Sequence, residues 1–332
     1  MVLALSRRTV LRALGGAAMT VTATTADAAT EWSLFSSQPR SDPAPLATIN
    51  RLSDEMPARS SRALSIAVKM AGSLPIRSTA VTAAVADGRV QLGDDIYYVS
   101  NLPAAGALRL PGLITTEDHL RIALPIQRAF LNTLFAKHKA QLIGYYMTPP
   151  QVIFTVRAVA AIDDLRGMVI RTTTQDQAEA VHRLGALATT MVSDDVSAAL
   201  EAGTLHGVFG TAVGAGRVWA GKLRFGCRIT PVRSDGVILA NRAAMATLEK
   251  SLAQVVTTFG ADLAAALNTA LAANEATALA ELTGGGFKMA QPRPDDLIAS
   301  ARRLTPYWEA ISLARGKDAS DILATLRLAL DR

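Results

Sequence analysis

Asp163-Asp164-Leu165-Arg166-Gly167-Met168-Val169-Ile170-Arg171-Thr172-Thr173-Thr174 is the stretch on which the reading of this 332-residue chain turns. Two acids and a glycine punctuate a turn, and the short apolar run after them reads as a strand. The strand ends on Arg171, and three threonines follow it. An arginine fixed at the carboxyl end of a buried strand presents a planar fork that fits a carboxylate through two parallel hydrogen bonds. Open α/β sheets hold their ligands in the crevice at that end. One segment thus predicts an α/β fold and names a group, Arg171, able to hold an anion.

Upstream of this stretch, Glu31 to Ser37 reads as a first strand, Ala63 to Met70 as a second and Val90 to Leu92 as a third. Helical spacing fills Leu46–Met56 and Ser78–Asp87, and Gly88 closes the latter. A β-α-β-α-β rhythm implies a largely parallel sheet with helices on both faces. Thr115-Thr116-Glu117-Asp118 has the hydroxyl cap and acidic first turn of a helix start, and the apolar stripe beyond it reaches about Lys139, with Pro125 a candidate kink. Leu142 to Tyr146 is a further strand, and the proline-rich Met147–Gln151 is a first crossing between domains.

Downstream, strands are expected at Gln151–Val156, Met168–Arg171, Val208–Phe209 and Leu223–Arg228. Helices are expected over Asp176–Leu184 and from an N-cap at Ser193 to Gly203. Gly236 to Ala240 is apolar enough to return to the first sheet, which makes Arg233–Gly236 a second crossing. Arg242 to Ala280 is rich in alanine and leucine and mostly helical, Gly284-Gly285-Gly286 breaks it, and Pro294 to Leu330 is largely helical again.

Asp164-Leu165-Arg166-Gly167-Met168-Val169-Ile170-Arg171 resembles the D-L-x-G-x-x-I-R signature of the solute-binding proteins of TRAP transporters, the tripartite ATP-independent periplasmic carriers. Leu184-Gly185-Ala186, the run Ser193 to Leu200 and Gly203-Thr204-Leu205-His206-Gly207-Val208-Phe209 continue the likeness in order. Val85 to Gln91 and Leu110-Pro111-Gly112-Leu113 extend it upstream, so it covers nearly all of residues 30–330. The resemblance implies a two-lobed periplasmic-binding-protein (Venus-flytrap) fold of class α/β. It would have two mixed, mostly parallel sheets flanked by helices, and a long helix spanning both lobes for which Arg242–Thr269 is the candidate. The expected division is 29–148 plus 237–276 for lobe I and 149–236 plus 277–332 for lobe II. The implied function is capture of an organic acid in the interlobe cleft, closure by a hinge motion, and delivery to the membrane permease subunits of a TRAP carrier.

By the same resemblance Arg171 pairs with the carboxylate, and Thr173 lies next to it in the polar run. Ser193 stands where the family often has an aromatic wall, implying a wider pocket. Phe209 and Thr211 fall in a segment where the family usually writes Gln-Glu-Asn-Pro, and without that amide either Phe209, by stacking, or Thr211 is expected to take over its contact. His206 replaces the acid of the family's D-G and reads as a turn residue. Gln151 occupies the hinge position where a second arginine is common. In the first lobe, Ser37 ends the first strand, Asp95 and Tyr98 follow the third, and Arg77 opens the helix after the second; all four are expected to face the crevice. A second cation at Arg77 would favour a dicarboxylate or longer acid, whereas Phe209 and the missing hinge arginine lean toward a monocarboxylate with an apolar or aromatic body.

The N-terminus predicts export. Ser6-Arg7-Arg8-Thr9-Val10-Leu11-Arg12 reads as a twin-arginine motif, Ala13 to Val21 is modestly apolar, and Ala26-Asp27-Ala28 offers a cleavage site. Residues 1–28 are accordingly read as a signal peptide that delivers a soluble product to the periplasm. The apolar run is too short to span a bilayer. Without that segment, three arginines and one aspartate fewer, the formal charge of +6 becomes about +4. Its positive charges are scattered rather than massed with aromatics, which argues against a nucleic-acid partner. Cys227 is the single cysteine, so no internal disulfide framework is possible. There is no G-x-S-x-G, H-E-x-x-H, phosphate loop or metal-spaced cluster among the four histidines, so neither a metal, a cofactor nor an enzyme is expected. Two alternatives to transport stay open: a sensory protein presenting its ligand to a membrane kinase, and an exported enzyme.

Overall fold

Residues 30–38, 43–70 and 72–332 are described by the structure, a computed structural model; the expected signal peptide over 1–28 lies outside the described residues. In the first sheet, β1 (Thr30–Ser36) runs parallel to β2 (Leu64–Met70) across the helices α1 (Pro43–Asp54) and α2 (Met56–Arg59). It also runs parallel to β3 (Leu92–Asp95), reached through α3 (Val81–Ala86). Parallel neighbours need such crossovers. The third strand starts two residues later than expected because the Gly88 turn, at φ +74°, carries Arg89 and Val90 back onto the end of α3. Next come α4 (Glu117–Lys137) and the edge strand β4 (Ala140–Met147). Thr116 caps α4 by accepting the His119 N–H, and Pro125 lies within the helix.

The second sheet is built from β5 (Gln151–Thr155), β6 (Val169–Arg171), β7 (Leu187–Thr189), β8 (Gly207–Gly210) and β9 (Phe225–Val232). Helices α5 (Gln175–Arg183) and α6 (Ser193–Glu201) connect β6 to β7 and β7 to β8. The chain then returns: β10 (Asp235–Asn241) inserts antiparallel between β3 and β4, giving the order β2-β1-β3-β10-β4. All seven residues of β10 are buried, which is why its sequence is a continuous apolar run rather than an alternation. After α7 (Arg242–Ala246) and α8 (Lys250–Gly284), a short β11 (Lys288–Ala290) pairs with β9 and completes the second sheet as β11-β9-β5-β8-β6-β7. The C-terminal pair is α9 (Pro294–Ala314) and α10 (Lys317–Leu330). Both sheets are mixed, with parallel and antiparallel pairings nearly balanced.

The long helix begins later and ends later than expected. The Asn241 side chain caps α7 by accepting the Ala244 N–H, and Thr247 bonds back to the Ala244 carbonyl, so the helix stops and restarts at Lys250. At about 1.5 Å per residue, α8 extends about 50 Å. Val256, Phe259, Leu263 and Leu267 pack into the first sheet's core beside Trp32 and Leu34, while Ala278 and Leu282 pack with Phe154 and Trp219 of the second. One helix therefore braces both halves.

The approach of α8 to β4 depends on two glycines. A Cβ on Gly144 would lie 2.2 Å from the Gly260 carbonyl oxygen, and one on Gly260 would lie 2.5 Å from Ile143 Cγ1. Backbone atoms cannot swing aside, so Gly144→Ala is expected to cost at least about 1–3 kcal/mol of stability. A urea midpoint equal to that of the wild type would show that the helix can ride outward freely.

The C-terminal helices depart from the expected grouping of 277–332 with the second lobe. The start of α9 is held to the second half, where Asp296 Oδ1 accepts the Ile162 N–H at 3.1 Å. Its far end belongs to the first: Trp308 Nε1 donates to the Pro111 carbonyl at 3.0 Å. Ile322, Leu323 and Leu326 of α10 share a core with Leu108, Leu113 and Leu120. The apolar stripe of α10 finds its partner on α4, which the order of elements along the chain does not reveal.

Candidate functional site

Strand directions bring two sheet ends together. β5 leaves the first crossing, and β8 and β9 run antiparallel to it, so both end there; β6 and β7, parallel to β8, end there too. In the first sheet, β4 enters that crossing and β10 leaves the second, so the carboxyl ends of β1, β2 and β3 point the same way. The crossings are tied together by the Thr148 N–H on the Ser234 carbonyl at 2.9 Å, and the first is tied to α8 by the Met147 N–H on Asn268 Oδ1 at 2.8 Å. The carboxyl ends of both sheets thus meet across a two-stranded hinge, the place where open α/β sheets bind ligands.

Arg171 stands at this end. Its Nε donates to the Met191 carbonyl at 3.3 Å, and no acid pairs with it among the described residues. Burial holds its pKa below the ordinary arginine value. A half-buried guanidinium with one long hydrogen bond and no counter-ion has given up more water than it has regained in contacts, so it favours an incoming anion. The D-L-x-G segment before it is structural. Asp164 accepts the amides of Ala160 and Ala161, and Gly167, at φ +73°, donates its N–H to the Gly185 carbonyl.

Thr173 and Gln151 are brought together through a residue the sequence did not single out. Gln177 Oε1 accepts the Thr173 N–H and hydroxyl at 2.9 and 3.0 Å, and its Nε2 donates to Gln151 Oε1 at 2.5 Å. Gln151 Nε2 reaches Ser234 Oγ at 3.4 Å, so a neutral relay connects the end of β6 to both crossings. Gln177 follows the N-cap Thr174, whose oxygen accepts its N–H. A threonine just before the helix is a capping signal in the sequence, but it does not give the direction of the Gln177 amide. Thr211 caps the segment Ala212–Gly216 by accepting the Gly214 N–H at 2.9 Å. Ser193 is the exposed first residue of α6, two residues from the carbonyl that holds Arg171; the capping position is Val192, which has no side-chain acceptor.

Four of the expected residues have partners within the protein. Phe209 is a core residue packed with Ile153, Ile170 and Cys227, because its parity in β8 turns it away from Arg171's side of the sheet. Tyr98 is 0% exposed and donates to Asp235 Oδ2 at 2.7 Å. Asp95 is spent on α3 and its own loop, accepting from the Thr82 amide and hydroxyl and from the Tyr97 amide. Ser37 is buried and accepts the Ile96 N–H at 2.9 Å. Arg77 is exposed and no contact joins it to Arg171 among the described residues. His206 is the turn residue expected: its Nδ1 accepts the Val169 N–H at 2.9 Å.

The first-sheet side of the cleft is instead organised by Asp94, one residue before the expected Asp95. Asp94 accepts the Tyr146 hydroxyl at 2.5 Å and the Ser36 hydroxyl at 2.7 Å, and Gln38 Nε2 donates to the Tyr146 oxygen at 2.6 Å. Burial pushes the Asp94 carboxyl up to about 6, and the hydrogen bonds from Tyr146 and Ser36 only partly oppose it. A raised folded-state pKa means that the folded protein binds more protons than the unfolded chain between about pH 4 and 6, so this group's contribution is present below that window and lost as pH rises through it. The unfolding free energy of Asp94→Asn, minus that of the wild type, is therefore expected to rise by about 1–3 kcal/mol from pH 4 to pH 7. Urea titrations at both pH values measure this, and a pH-independent difference refutes it.

A cavity lies apart from Arg171, on the hinge. About 420 Å³ in volume, it sits at the hinge between Leu120, Pro149, Pro150, Phe154 and the α8 residues Ala272, Ala276 and Leu279, and Arg171 does not line it. Among the described residues no group of three or more His, Cys, Asp or Glu could hold a metal ion.

The comparisons agree with this architecture. Several solved structures share the fold. An extracytoplasmic solute receptor of Bordetella pertussis that binds pyroglutamic acid has 20% identity over 92% of this chain and 100% of its own, with a TM-score of 0.71. A TRAP periplasmic solute-binding protein of Ralstonia eutropha with bound (S)-2-acetolactate has 16% identity over 91% and 98%, with a TM-score of 0.72. A TRAP periplasmic solute-binding protein of Ochrobactrum anthropi has 14% identity over 91% and 95%, with a TM-score of 0.80. No curated protein matches the chain in sequence. The model of the bacterial extracellular solute-binding protein family 7 matches residues 35–314, most of the length, and the chain belongs to that family.

Proposed function

We propose that the protein captures a small monocarboxylic acid between its two sheets, seats the carboxylate on Arg171, and delivers it from the periplasm to a TRAP-type membrane permease. The observation that carries this reading is the unpaired, half-buried guanidinium of Arg171 at the carboxyl end of β6. The neutral Gln151–Gln177–Thr173 relay supports a single carboxylate with an adjacent hydrogen-bonding group over a dicarboxylate, because Gln151, an uncharged residue, stands at the hinge end of β5. Pyroglutamic acid and (S)-2-acetolactate, held by two structural relatives, are acids of that kind. In this reading lobe I comprises 30–148 with 237–276, lobe II comprises 149–236 with 277–314, and α10 is strapped to lobe I. Binding, not catalysis, is the activity, and residues 1–28 act as a twin-arginine export signal.

The test is calorimetry on the chain from Ala29, unfolded and refolded to strip any co-purified ligand. Pyroglutamate, 2-acetolactate, lactate, benzoate and succinate are titrated beside the neutral amides of the same acids. A monocarboxylate at 100 times its dissociation constant should add about 2.7 kcal/mol of stability, and its amide should add none. An amide that binds as well as its acid, or no response to any acid, overturns the reading.

A further inference from the structure

The hinge cavity has walls from both halves of the molecule: Leu120 of α4, Pro150 of the first crossing, Phe154 of β5 and Leu279 of α8. Two arginines line it, Arg228 of β9 and Arg233 of the second crossing. The Arg233 side chain is 9% exposed; one of its terminal nitrogens donates to Glu117 Oε1 at 2.6 Å, and its buried Nε has no partner among the described residues. Arg228 Nε is likewise buried without a partner, and no salt bridge engages Arg228 among the described residues. The other acid in the wall, Glu275, is committed to the amides of Ala212 and Val213 at 2.6 and 3.0 Å. A buried donor left without an acceptor costs free energy, and a charged donor costs more. Both residues that carry such a donor line one largely apolar space.

The geometry points to a second binding site at this hinge cavity, for an amphipathic monocarboxylate whose head meets Arg228 and Arg233 and whose apolar body packs on Leu120, Phe154 and Leu279. A guanidinium fork fits a carboxylate through parallel hydrogen bonds. Glu117 and Glu275 in the wall disfavour a doubly charged anion such as a phosphate monoester. The volume lies at the low end of the range of small-molecule pockets, about 300–1,000 Å³, and suits a short fatty or aryl acid. Arg171, Thr173, Gln177 and Gln151 take no part in the lining, so this site is separate from the cleft and does not rest on the function proposed for it.

Octanoate is the probe, titrated by calorimetry into the refolded wild type, Arg171→Ala, Arg228→Met and Ala276→Trp. Arg228→Met keeps the apolar stem and removes the donors, whereas Ala276→Trp fills the space and leaves both arginines in place. Octanoate is expected to bind the wild type and Arg171→Ala alike, to bind Arg228→Met about tenfold or more weakly, corresponding to about 1.4 kcal/mol, and to lose measurable binding to Ala276→Trp. The inference falls if Arg171→Ala weakens octanoate more than the hinge variants do, which would place the probe in the cleft. It falls equally if the wild type shows no heat of binding up to several millimolar, about −4 kcal/mol or weaker. Should Arg228→Met fail to fold, as judged by its melting transition, the comparison of Ala276→Trp with Arg171→Ala decides alone.

Discussion

Replacing Arg171 with alanine is expected to weaken binding of the cognate acid by at least about 100-fold while leaving the fold nearly untouched. Each charge-assisted hydrogen bond in a closed cleft contributes about 1.5–3 kcal/mol, so loss of a two-pronged contact removes about 3–6 kcal/mol of interaction before water compensates. Within the protein itself the guanidinium makes one hydrogen bond, to the Met191 carbonyl, and no ion pair among the described residues. Removing a desolvated, uncompensated cation therefore leaves the unfolding free energy within about 0.5 kcal/mol of the wild type. Arg171→Lys retains the charge and loses the fork, and should fall between the two, about tenfold weaker than the wild type. Calorimetry with the acid found by the panel, together with urea unfolding of each variant, separates the outcomes. Unchanged affinity in Arg171→Ala sinks the assignment, and a large loss of stability would instead make the residue a structural one.

The same arginine illustrates what the amino-acid sequence made legible. A turn, a short apolar strand and a terminal cation are local features, and local features survive into the structure: β6 ends at Arg171 and β10 returns to the first sheet as its apolar run implied. Side-chain direction did not survive as well. In a strand, one residue of error turns a side chain to the opposite face, and this separates Asp94, which anchors Tyr146 and Ser36, from Asp95, which holds α3. It also separates an imagined stacking Phe209 from the core residue that is found. Partner identity was the other gap. Tyr98 looked free because its acceptor, Asp235, lies 137 residues away, and Gln151 looked like a lost arginine because Gln177 completes its contact from α5. The hinge cavity left no mark in the sequence, since Arg228 and Arg233 read as scattered charges until α4, α8 and both crossings enclose them.

Asp235 is where the largest loss of stability is expected. It is the first residue of β10, directly after the second crossing, and its side chain is 1% exposed. One carboxylate receives the Tyr98 hydroxyl at 2.7 Å, the Tyr145 hydroxyl at 2.6 Å and Arg109 Nε at 2.7 Å, and Arg109 also holds the Asp235 and Ile96 carbonyls. Burial opposes the charge of Arg109, but the nearby Asp235 carboxylate more than offsets it, and the guanidinium's pKa lies above its ordinary value. Asp235→Ala strands two buried hydroxyls and a buried cation together. Breaking such a pair from one side costs about 3–5 kcal/mol, more than the pair itself contributes, because the surviving charge stays buried. The same reasoning gives a control: Arg109→Met in the Asp235→Ala background removes the orphaned cation and should recover part of the loss, leaving the double variant more stable than Asp235→Ala alone. Urea unfolding of the two single variants and the double variant measures the coupling. Simple additivity would mean that the cluster relaxes or admits water, and that the junction between crossing and sheet is held by backbone pairing alone. A strong positive coupling would make Asp235 the pin that fixes where the second crossing enters the first sheet, and so where the two sheet ends face each other.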